Sequence, residues 1–213
     1  MVLDAAGDPL TERVRFKMPD SPAPAEVMGL LAKLVKEVGD FERVACGFPG
    51  VVIEGEIRTA VNLHPGWVGM NLAAELEALT GKPARVANDA DVQGMAVIAG
   101  QGVELVVTLG TGMGAARYTN GHLVPNLELG HHPFRGGKTY EECLGEAALK
   151  DKGLKKWNKR IEEAIGVMAR IFNFHTLYLG GGNARKISLE LPPNVKIVPN
   201  VAGLLGGIHL WAE

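Results

Sequence analysis

The segment LVVTLGTGMGAARYTNGHLV, residues 105–124, decides the fold class of this chain. Its first five residues are mostly apolar and β-branched, which is typical of a buried strand, and glycines follow at positions 110, 112 and 114. Asn120-Gly121 then separates two short strand-like runs, and this dipeptide is the strongest short-range signal for a β-hairpin. We therefore expect a buried strand, a tight glycine loop and a hairpin in direct succession.

Strands and helices alternate on both sides of this segment. Apolar residues recur at helical spacing in Glu26–Val38, in Leu72–Leu79, in much of Tyr140–Asn173 and in an apolar C-terminal stretch from about Ala202. The strand-like runs between them are Arg43–Phe48, Val51–Ile57, Arg85–Ala87, Leu177–Leu179 and Val195–Val198. This alternation predicts an α/β fold with a mixed or parallel sheet.

Composition excludes several classes of protein. The chain has 213 residues, of which 46% are hydrophobic, so it can bury a core and is not disordered. A net charge of −2 gives no overall basic surface for nucleic acid or an anionic membrane, and we expect neither as a partner. Cys46 and Cys143 form no CxxC pair, and no signal peptide or apolar run of about 18 residues is visible. The expected location is cytoplasmic.

The glycines at 110–114 are placed where a strand ends, so their backbone N–H groups can wrap a phosphate. The spacing is not the G-x-G-x-x-G of a dinucleotide site, and no Gly-Lys-Ser/Thr of a Walker A loop occurs. A tight turn without a ligand is the alternative.

Asn88-Asp89 follows a strand-like run, and the carboxyl ends of strands are where α/β sheets hold ligands. The Asp89 carboxylate can accept a proton from a substrate hydroxyl. The alternative is that Asn88 or Asp89 only caps the next helix.

A second polar group is the loop that contains Asn126, Glu128 and His131. Amide, carboxylate and imidazole groups suit a ligand rich in hydroxyls, although a solvated polar loop is the alternative. No Cys or His cluster follows that would complete a tetrahedral zinc site.

A basic block extends from Lys150 to Arg160, with Asp151 as its only acid. It is either a solvated helix face or a site for a polyanion such as polyphosphate. The candidate residues for such a site are Lys155, Lys156, Lys159 and Arg160.

The short motifs of this chain, and the order in which they occur, resemble those of the ROK sugar kinases, and within them the polyphosphate glucokinases. They are Cys46–Gly50, Asn62-Leu63 with Trp67, Asn88–Asp91, Leu109–Gly114, Asn120-Gly121, Glu128–His131 and Gly180–Gly182. The resemblance implies the actin-like, ribonuclease H-like ATPase fold, with two α/β lobes around a cleft, here expected at 1–100 and 101–213, and a homodimer. The implied reaction is phosphoryl transfer from polyphosphate, ATP or both to the 6-hydroxyl of glucose or a similar hexose.

The resemblance also implies roles for individual residues. Asp89 corresponds to the general base that takes the proton of the 6-hydroxyl, and Mg²⁺ accompanies the phosphoryl donor. The implied sugar ligands are Asn88, Glu128, His131, Asn62 and Gly50; the implied phosphate ligands are Gly110, Thr111, Gly112 and Gly114; the implied nucleotide ligands are Gly180, Gly181 and Gly182. Either Glu141 or Glu142 approaches the sugar. The zinc cysteines of many family members are missing after His131, so no zinc is expected.

The beginning of the chain departs from the family pattern, in which an Asp-x-Gly-Gly-Thr phosphate loop follows the first strand. Val2-Leu3-Asp4 is similar to the end of the family's second strand, so we expect the first strand and its loop to be missing from these 213 residues. We then expect weak kinase activity and an exposed sheet edge. The alternative function is a non-catalytic sugar-binding or regulatory module, since ROK relatives include repressors.

Overall fold

The computed structural model describes residues 1–17, 21–61, 63–198 and 205–211, and these form a mixed α/β structure, as predicted. They fall into two compact units, Met1–Gln93 with Leu204–Glu213, and Gly94–Gly203. The lobes expected from the sequence divide after residue 100, whereas the units divide between Gln93 and Gly94. The C-terminal segment belongs to the first unit.

The first unit is built around two parallel strands. Its elements are α1 (Pro24–Val38), β1 (Val44–Phe48), β2 (Val52–Ile53), β3 (Glu56–Ile57), α2 (Leu72–Thr80), β4 (Ala84–Asn88) and the start of α3 (Asp89–Met95). β1 and β4 pair in parallel, with Phe48 opposite Asn88, so both strands end at the same edge. The core beneath them is centred on Ile57, Trp67 and Leu72, each of which is at most 2% exposed.

The bounds of α2 follow from its sequence. The Asn71 side chain accepts a hydrogen bond from the N–H of Ala74 at 3.0 Å and so caps the first turn. Gly81 adopts φ 66°, the left-handed conformation in which helices commonly end. The predicted helix end at Thr80-Gly81 is confirmed.

The C-terminal segment packs against β1 and β4 through Trp211. The guanidinium groups of Arg43 and Arg85 lie 5.3 and 4.5 Å from the centroid of its ring, within the range of cation–π attraction. Arg85 also donates a hydrogen bond to the carbonyl of Leu210. The expected C-terminal helix is a 3₁₀ helix, Leu205–Trp211, and its expected start near Ala202 lies outside the described residues.

The second unit contains a five-stranded mixed sheet in the order β11-β10-β5-β6-β7. Its elements are β5 (Val103–Leu109), β6 (Met113–Thr119), β7 (His122–Val124), β8 (Pro133–Arg135), β9 (Lys138–Thr139), α4 (Tyr140–Leu144), α5 (Glu146–Phe172), β10 (Thr176–Gly180) and β11 (Val195–Ile197). The strand, glycine loop and hairpin predicted for residues 105–124 are confirmed. Asn120 and Gly121 have φ of 50° and 81°, as a two-residue hairpin turn of type I′ requires.

The long helical stretch of the second unit is interrupted twice. Gly145 separates α4 from α5, and Gly153 bends α5 because its φ of 73° and ψ of 161° are not helical. α5 buries Trp157, Ile161, Ala164, Ile165 and Met168. Ala169, which shares the apolar spacing of Ile161, Ile165 and Met168 in the sequence, is exposed.

Within the ranges described, no helix combines the length and the apolar character that crossing a membrane requires.

Candidate active site

The carboxyl ends of β1 and β4 bring together three residues that were predicted for the site. The Asn88 side-chain oxygen accepts hydrogen bonds from the N–H groups of Ala90, at 2.8 Å, and Asp91, at 3.4 Å. Its amide nitrogen donates to the carbonyl of Gly50 at 3.1 Å. Asn88 is therefore the cap of α3, and it ties the Pro49-Gly50 turn to the end of β4.

Asp89 is the first residue of α3 and is half-buried. Burial raises the pKa of its carboxyl group above the usual value, and hydrogen bonds from the backbone N–H groups of Ala90 and Asp89 oppose this shift in part. A carboxylate with a raised pKa is a stronger base than an exposed one. Because Asn88 caps the helix, the Asp89 carboxylate is not needed for that purpose.

Close contacts leave little or no space for a side chain at two glycines of this edge. A Cβ atom at Gly50 would lie 2.1 Å from the carbonyl oxygen of Thr59, and one at Gly47 would lie 3.2 Å from the Cα of Asp89. The glycines therefore let the chain pack around Asp89 and the Pro49-Gly50 turn. Asn62, the remaining predicted ligand of this unit, lies outside the described residues.

In the second unit, two glycine loops meet at one edge of the sheet. The loop Gly110–Gly114, called the phosphate loop for its predicted role, follows β5. The second glycine loop, Gly180–Gly182, begins at the last residue of the parallel neighbour β10. A Cβ atom at Gly181 would lie 2.5 Å from the carbonyl oxygen of Leu109, and the φ of Gly181 is 85°. Parallel pairing therefore brings together two loops that are about 70 residues apart in sequence.

Asn183 fastens the two loops to each other. Its side chain donates to the carbonyl of Gly110 at 3.0 Å, and its backbone N–H donates to the carbonyl of Leu109 at 2.9 Å. The side chain is buried, with 6% of the residue exposed. Asn183 was not among the residues predicted for the site, although its place directly after three glycines is a usable signal.

The loop Glu128–His131 packs against the end of the phosphate loop. A Cβ atom at Gly130 would lie 2.3 Å from the carbonyl oxygen of Met113. His131 Nε2 and Glu128 Oε2 are 3.5 Å apart, and both side chains are partly exposed. The structure therefore places the predicted pair beside each other and accessible to a ligand.

The structure distinguishes between Glu141 and Glu142. Glu142 belongs to the capping box of α4, in which its carboxylate accepts the N–H of Thr139 at 2.8 Å. Glu141 Oε2 instead accepts the N–H of Met113 at 3.1 Å. Of the two, Glu141 is the residue that contacts the phosphate loop.

The basic block lines one side of a cavity of about 480 Å³ in the second unit. Its charged lining residues are Arg135, Lys138, Lys152, Lys156, Lys159 and Arg160. Lys156, Lys159 and Arg160 are among the four predicted residues, whereas Lys155 is exposed on α5 outside the lining. Arg135 and Lys138 were not predicted, because they come from the β8–β9 hairpin. Lys152 belongs to the basic block but was not among the four candidate residues.

The fold and these strand ends define a class of protein: an α/β protein of the actin-like ATPase fold. The inorganic polyphosphate/ATP-glucomannokinase from Arthrobacter sp. strain KM matches with a TM-score of 0.84 and 29% identity, over 96% of this chain and 89% of that chain. A ROK family glucokinase from Streptomyces griseus, solved in complex with glucose and AMPPNP, matches with a TM-score of 0.75 over 98% of this chain and 93% of that chain. At 18% identity, this second likeness concerns the fold alone. The expected fold is confirmed.

The chain belongs to the ROK family, whose model matches residues 1–175. It is 33% identical over 217 aligned positions to a polyphosphate glucokinase of Mycobacterium tuberculosis (strain ATCC 25177 / H37Ra), which covers 94% of this chain and 81% of the relative. These relatives are sugar kinases, and the resemblance noted in the sequence is confirmed.

Proposed function

We propose that this protein transfers a phosphoryl group from polyphosphate, ATP or both to the 6-hydroxyl of glucose or a similar hexose. The observation that carries the proposal is Asp89, a half-buried carboxylate with a raised pKa at the end of β4 that the helix cap leaves available. The names of the relatives, a polyphosphate glucokinase and a polyphosphate/ATP-glucomannokinase, support the choice of substrates.

Asp89 is the proposed general base. Its carboxylate accepts the proton of the 6-hydroxyl while the hydroxyl oxygen forms a bond to the terminal phosphorus of the donor. The bond between that phosphorus and the bridging oxygen breaks, and its electron pair stays on the departing phosphate. Most of the rate acceleration in such transfers comes from positioning the reactants and stabilising charge.

The proposed sugar ligands are assigned by the hydrogen-bond donors and acceptors that each residue carries. We assign the second amide N–H of Asn88 and the carbonyl of Gly50 to sugar hydroxyls, since the N–H of Gly50 already donates to the carbonyl of Phe48. Glu128 supplies acceptors, and His131 supplies a ring nitrogen. Asn62 stays a predicted ligand.

The donor is assigned to the two glycine loops. Gly110, Thr111, Gly112 and Gly114 form the loop for the transferred phosphate, and Gly180, Gly181 and Gly182 form the loop on the nucleotide side. Among the described residues, no group of three or more His, Cys, Asp or Glu side chains offers a cage for a metal ion. Mg²⁺ stays a prediction: we propose that it arrives with the donor, because that ion is commonly held by one or two carboxylates and the phosphates themselves.

The basic cavity is the proposed binding site for a polyphosphate chain. Six cationic side chains line it, and the lining contains no acidic or aromatic side chain among the residues described. Clustered lysines and arginines concentrate a flexible polyanion, whereas single-stranded nucleic acid also uses aromatic stacking. Polyphosphate therefore fits this lining better than nucleic acid.

The reaction is tested by measuring glucose 6-phosphate formation with ATP and with long-chain polyphosphate, alongside calorimetry with glucose. We expect glucose binding and turnover with at least one donor. Glucose binding without turnover, even after a family Asp-x-Gly-Gly-Thr segment is added upstream, would instead support the sugar-binding module. The weak activity of these 213 residues, the homodimer and the cytoplasmic location stay predictions.

The cavity is tested by reversing charge inside and outside it. The double variant Lys156→Glu and Lys159→Glu should raise the KM for long-chain polyphosphate severalfold and leave the KM for ATP unchanged. The matched control, Lys150→Glu and Lys155→Glu, changes the net charge equally on residues outside the lining. Equal effects of the two double variants would show that the block acts only as a solvated face.

A further inference from the structure

Glu163 follows the cations of the basic cavity along the same face of α5. It lies three residues after Arg160, four after Lys159 and seven after Lys156, and residues at these spacings share one face of a helix. Those three cations line the cavity, and the bend of α5 at Gly153 precedes all of them. An acidic side chain therefore ends this run of cations.

Glu163 forms an ion pair with a cavity cation that comes from the β8–β9 hairpin. Arg135 Nη1 donates a hydrogen bond to Glu163 Oε2 at 3.0 Å. The Arg135 side chain is 52% exposed and that of Glu163 is 44% exposed, so both are accessible to a ligand. Ion pairs with this exposure contribute little to stability, and a ligand can break them at a small cost in free energy.

The β8–β9 hairpin is also held by contacts that do not involve this ion pair. Phe134 stacks on Tyr140 of α4 with ring centroids 4.4 Å apart, and the Tyr140 N–H donates to the carbonyl of His132 at 3.1 Å. Neighbouring side chains of a strand point to opposite faces, so Phe134 fixes the hairpin while Arg135 lines the cavity. The Arg135 side chain can therefore leave Glu163 while the hairpin stays in place.

The guanidinium group of Arg135 can bind either the Glu163 carboxylate or a phosphate, because both accept hydrogen bonds from the same planar set of N–H donors. The carboxylate also cancels part of the positive potential that attracts a polyanion. We infer that Glu163 is an internal competitor of the phosphoryl donor, which holds Arg135 until a bound polyphosphate chain displaces it. The inference rests on the proposed binding of polyphosphate in the basic cavity.

A positioning role for Glu163 predicts the opposite kinetic result. If the carboxylate were needed to hold Arg135 towards the donor, removing it would weaken the binding of polyphosphate. If it competes with the donor, removing it strengthens that binding. The exposure of the pair and the separate anchoring of the hairpin favour competition.

The kinetic test measures the KM for long-chain polyphosphate in Glu163→Gln, in Glu163→Ala and in the control Glu162→Gln. We expect both Glu163 variants to lower this KM by about two- to fivefold, the range that an exposed ion pair supports. Glu162→Gln changes the net charge equally at an exposed neighbour outside the cavity lining, so it should leave this KM nearly unchanged.

Two results of the kinetic test would overturn the inference. A higher KM for polyphosphate in Glu163→Ala would make Glu163 a positioning residue. Equal decreases in all three variants would show only that a lower negative charge of the whole protein favours the polyanion.

The dependence on Arg135 is tested in a second background. Arg135→Ala should raise the KM for polyphosphate, because the cavity loses a cation. Adding Glu163→Gln to Arg135→Ala should then leave that KM nearly unchanged, since the carboxylate has no guanidinium group left to compete for. If Glu163→Gln lowers the KM as much in this background as in the unaltered protein, the carboxylate repels the donor directly and the inference is wrong.

A measurement without turnover separates failure of this inference from failure of the proposed function. The nuclear magnetic resonance signal of the Arg135 Nε–H group, assigned by its absence in Arg135→Ala, should shift in Glu163→Gln and keep its position in Glu162→Gln. It should also shift when long-chain polyphosphate is added to the unaltered protein.

Each outcome of this measurement has a separate meaning. An unchanged Arg135 signal in Glu163→Gln would refute the ion pair and with it the inference. Turnover with polyphosphate but no shift on its addition would refute the competition and leave the proposed function intact. An ion pair seen in the spectrum of a protein that neither binds nor uses polyphosphate would refute the proposed polyphosphate site.

Discussion

The end of β4 and the ends of β5 and β10 offer functional groups in two different ways. After β4 the chain presents side chains: the amide of Asn88 and the carboxylate of Asp89, whose pKa is raised by burial. After β5 and β10 it presents glycine loops, in which the backbone itself is the functional group. A substitution therefore removes a chemical group at the first place and changes the path of the chain at the second.

The two regions should respond differently to mutation. At the end of β4, the rate of reaction should be more sensitive than stability, since Asp89 is not the helix cap. At the second glycine loop, stability should be the more sensitive quantity at Gly181, because a Cβ atom there would collide with the backbone of Leu109, which cannot move away easily.

The largest effect is expected for Asp89→Asn. It keeps the size of the side chain and removes the proposed base, so kcat for glucose phosphorylation should fall by about 10²- to 10⁴-fold. At neutral pH the midpoint of thermal unfolding should not fall and should rise slightly, because the variant removes a charge whose ionisation burial disfavours. A variant with full kcat would refute the assignment of Asp89 as the base.

Gly181→Ala should have the largest effect on stability. The methyl group would enter the backbone of Leu109 at a residue with φ of 85°, and the combined strain and overpacking should cost about 2–5 kcal/mol of unfolding free energy. Gly182→Ala is the matched control, because no atom lies within 4 Å of its added Cβ. Urea unfolding of both variants measures the difference, and equal midpoints would contradict the packing described for Gly181.

A smaller effect is expected for Asn88→Ala. Loss of the cap of α3 should lower the unfolding free energy by about 1 kcal/mol. Asn88→Asp should recover the cap, because a carboxylate accepts the N–H of Ala90, but it cannot donate to the carbonyl of Gly50. If Asn88→Ala unfolds at the same urea concentration as the unaltered protein, the capping role is wrong.

The smallest expected effect is the dependence of activity and of unfolding free energy on pH. Because burial raises the pKa of Asp89 in the protein without substrate, kcat/KM for glucose should fall as the pH decreases through a value above the ordinary pKa of Asp, about 3.9. The unfolding free energy contributed by this group changes with pH in the opposite direction to that of a salt-bridged carboxylate. The folded state binds this proton more tightly than the unfolded state does, so stability from this group rises as pH falls from the folded pKa towards the ordinary value.

Asp89→Asn should abolish that dependence. Urea unfolding at a series of pH values compares the variant with the unaltered protein. The stability difference between them should narrow as the pH falls through this window. A constant difference would mean that the pKa of Asp89 is not raised in the folded state.

Local patterns predicted the elements well where one short stretch contained the whole signal. The hairpin at Asn120-Gly121 and the end of α2 at Gly81 depend on backbone conformations that glycine and asparagine favour, so nearby residues suffice. Prediction was weaker where packing decides. Glu104 is fully buried and accepts hydrogen bonds from three backbone N–H groups, those of Ala99, Gly100 and Gln101, and from the hydroxyl of Tyr178. Nothing in its immediate sequence indicates this role.

The candidate site likewise contains residues that local sequence patterns predicted and residues that they did not. The sequence alone identified Asn88, Asp89 and the glycine loops as candidates, because each lies at the end of a strand whose apolar pattern is visible. Arg135 and Lys138 could not be assigned to the basic cavity, since a hairpin brings them to residues of α5 that are distant in sequence.

By itself, the sequence determined the α/β class, the places where strands end and the residues that carry charge or lack a side chain there. These properties follow from short-range hydrophobic patterns and from the conformational freedom of glycine. Only the tertiary structure decided that Asn88 rather than Asp89 caps α3, that Glu141 rather than Glu142 contacts the phosphate loop, and that Gly181 packs on Leu109. The cap depends on the local backbone conformation at the start of α3, whereas the other two contacts depend on which distant backbone atom comes close, and for Gly181 the parallel pairing of β10 with β5 sets that distance.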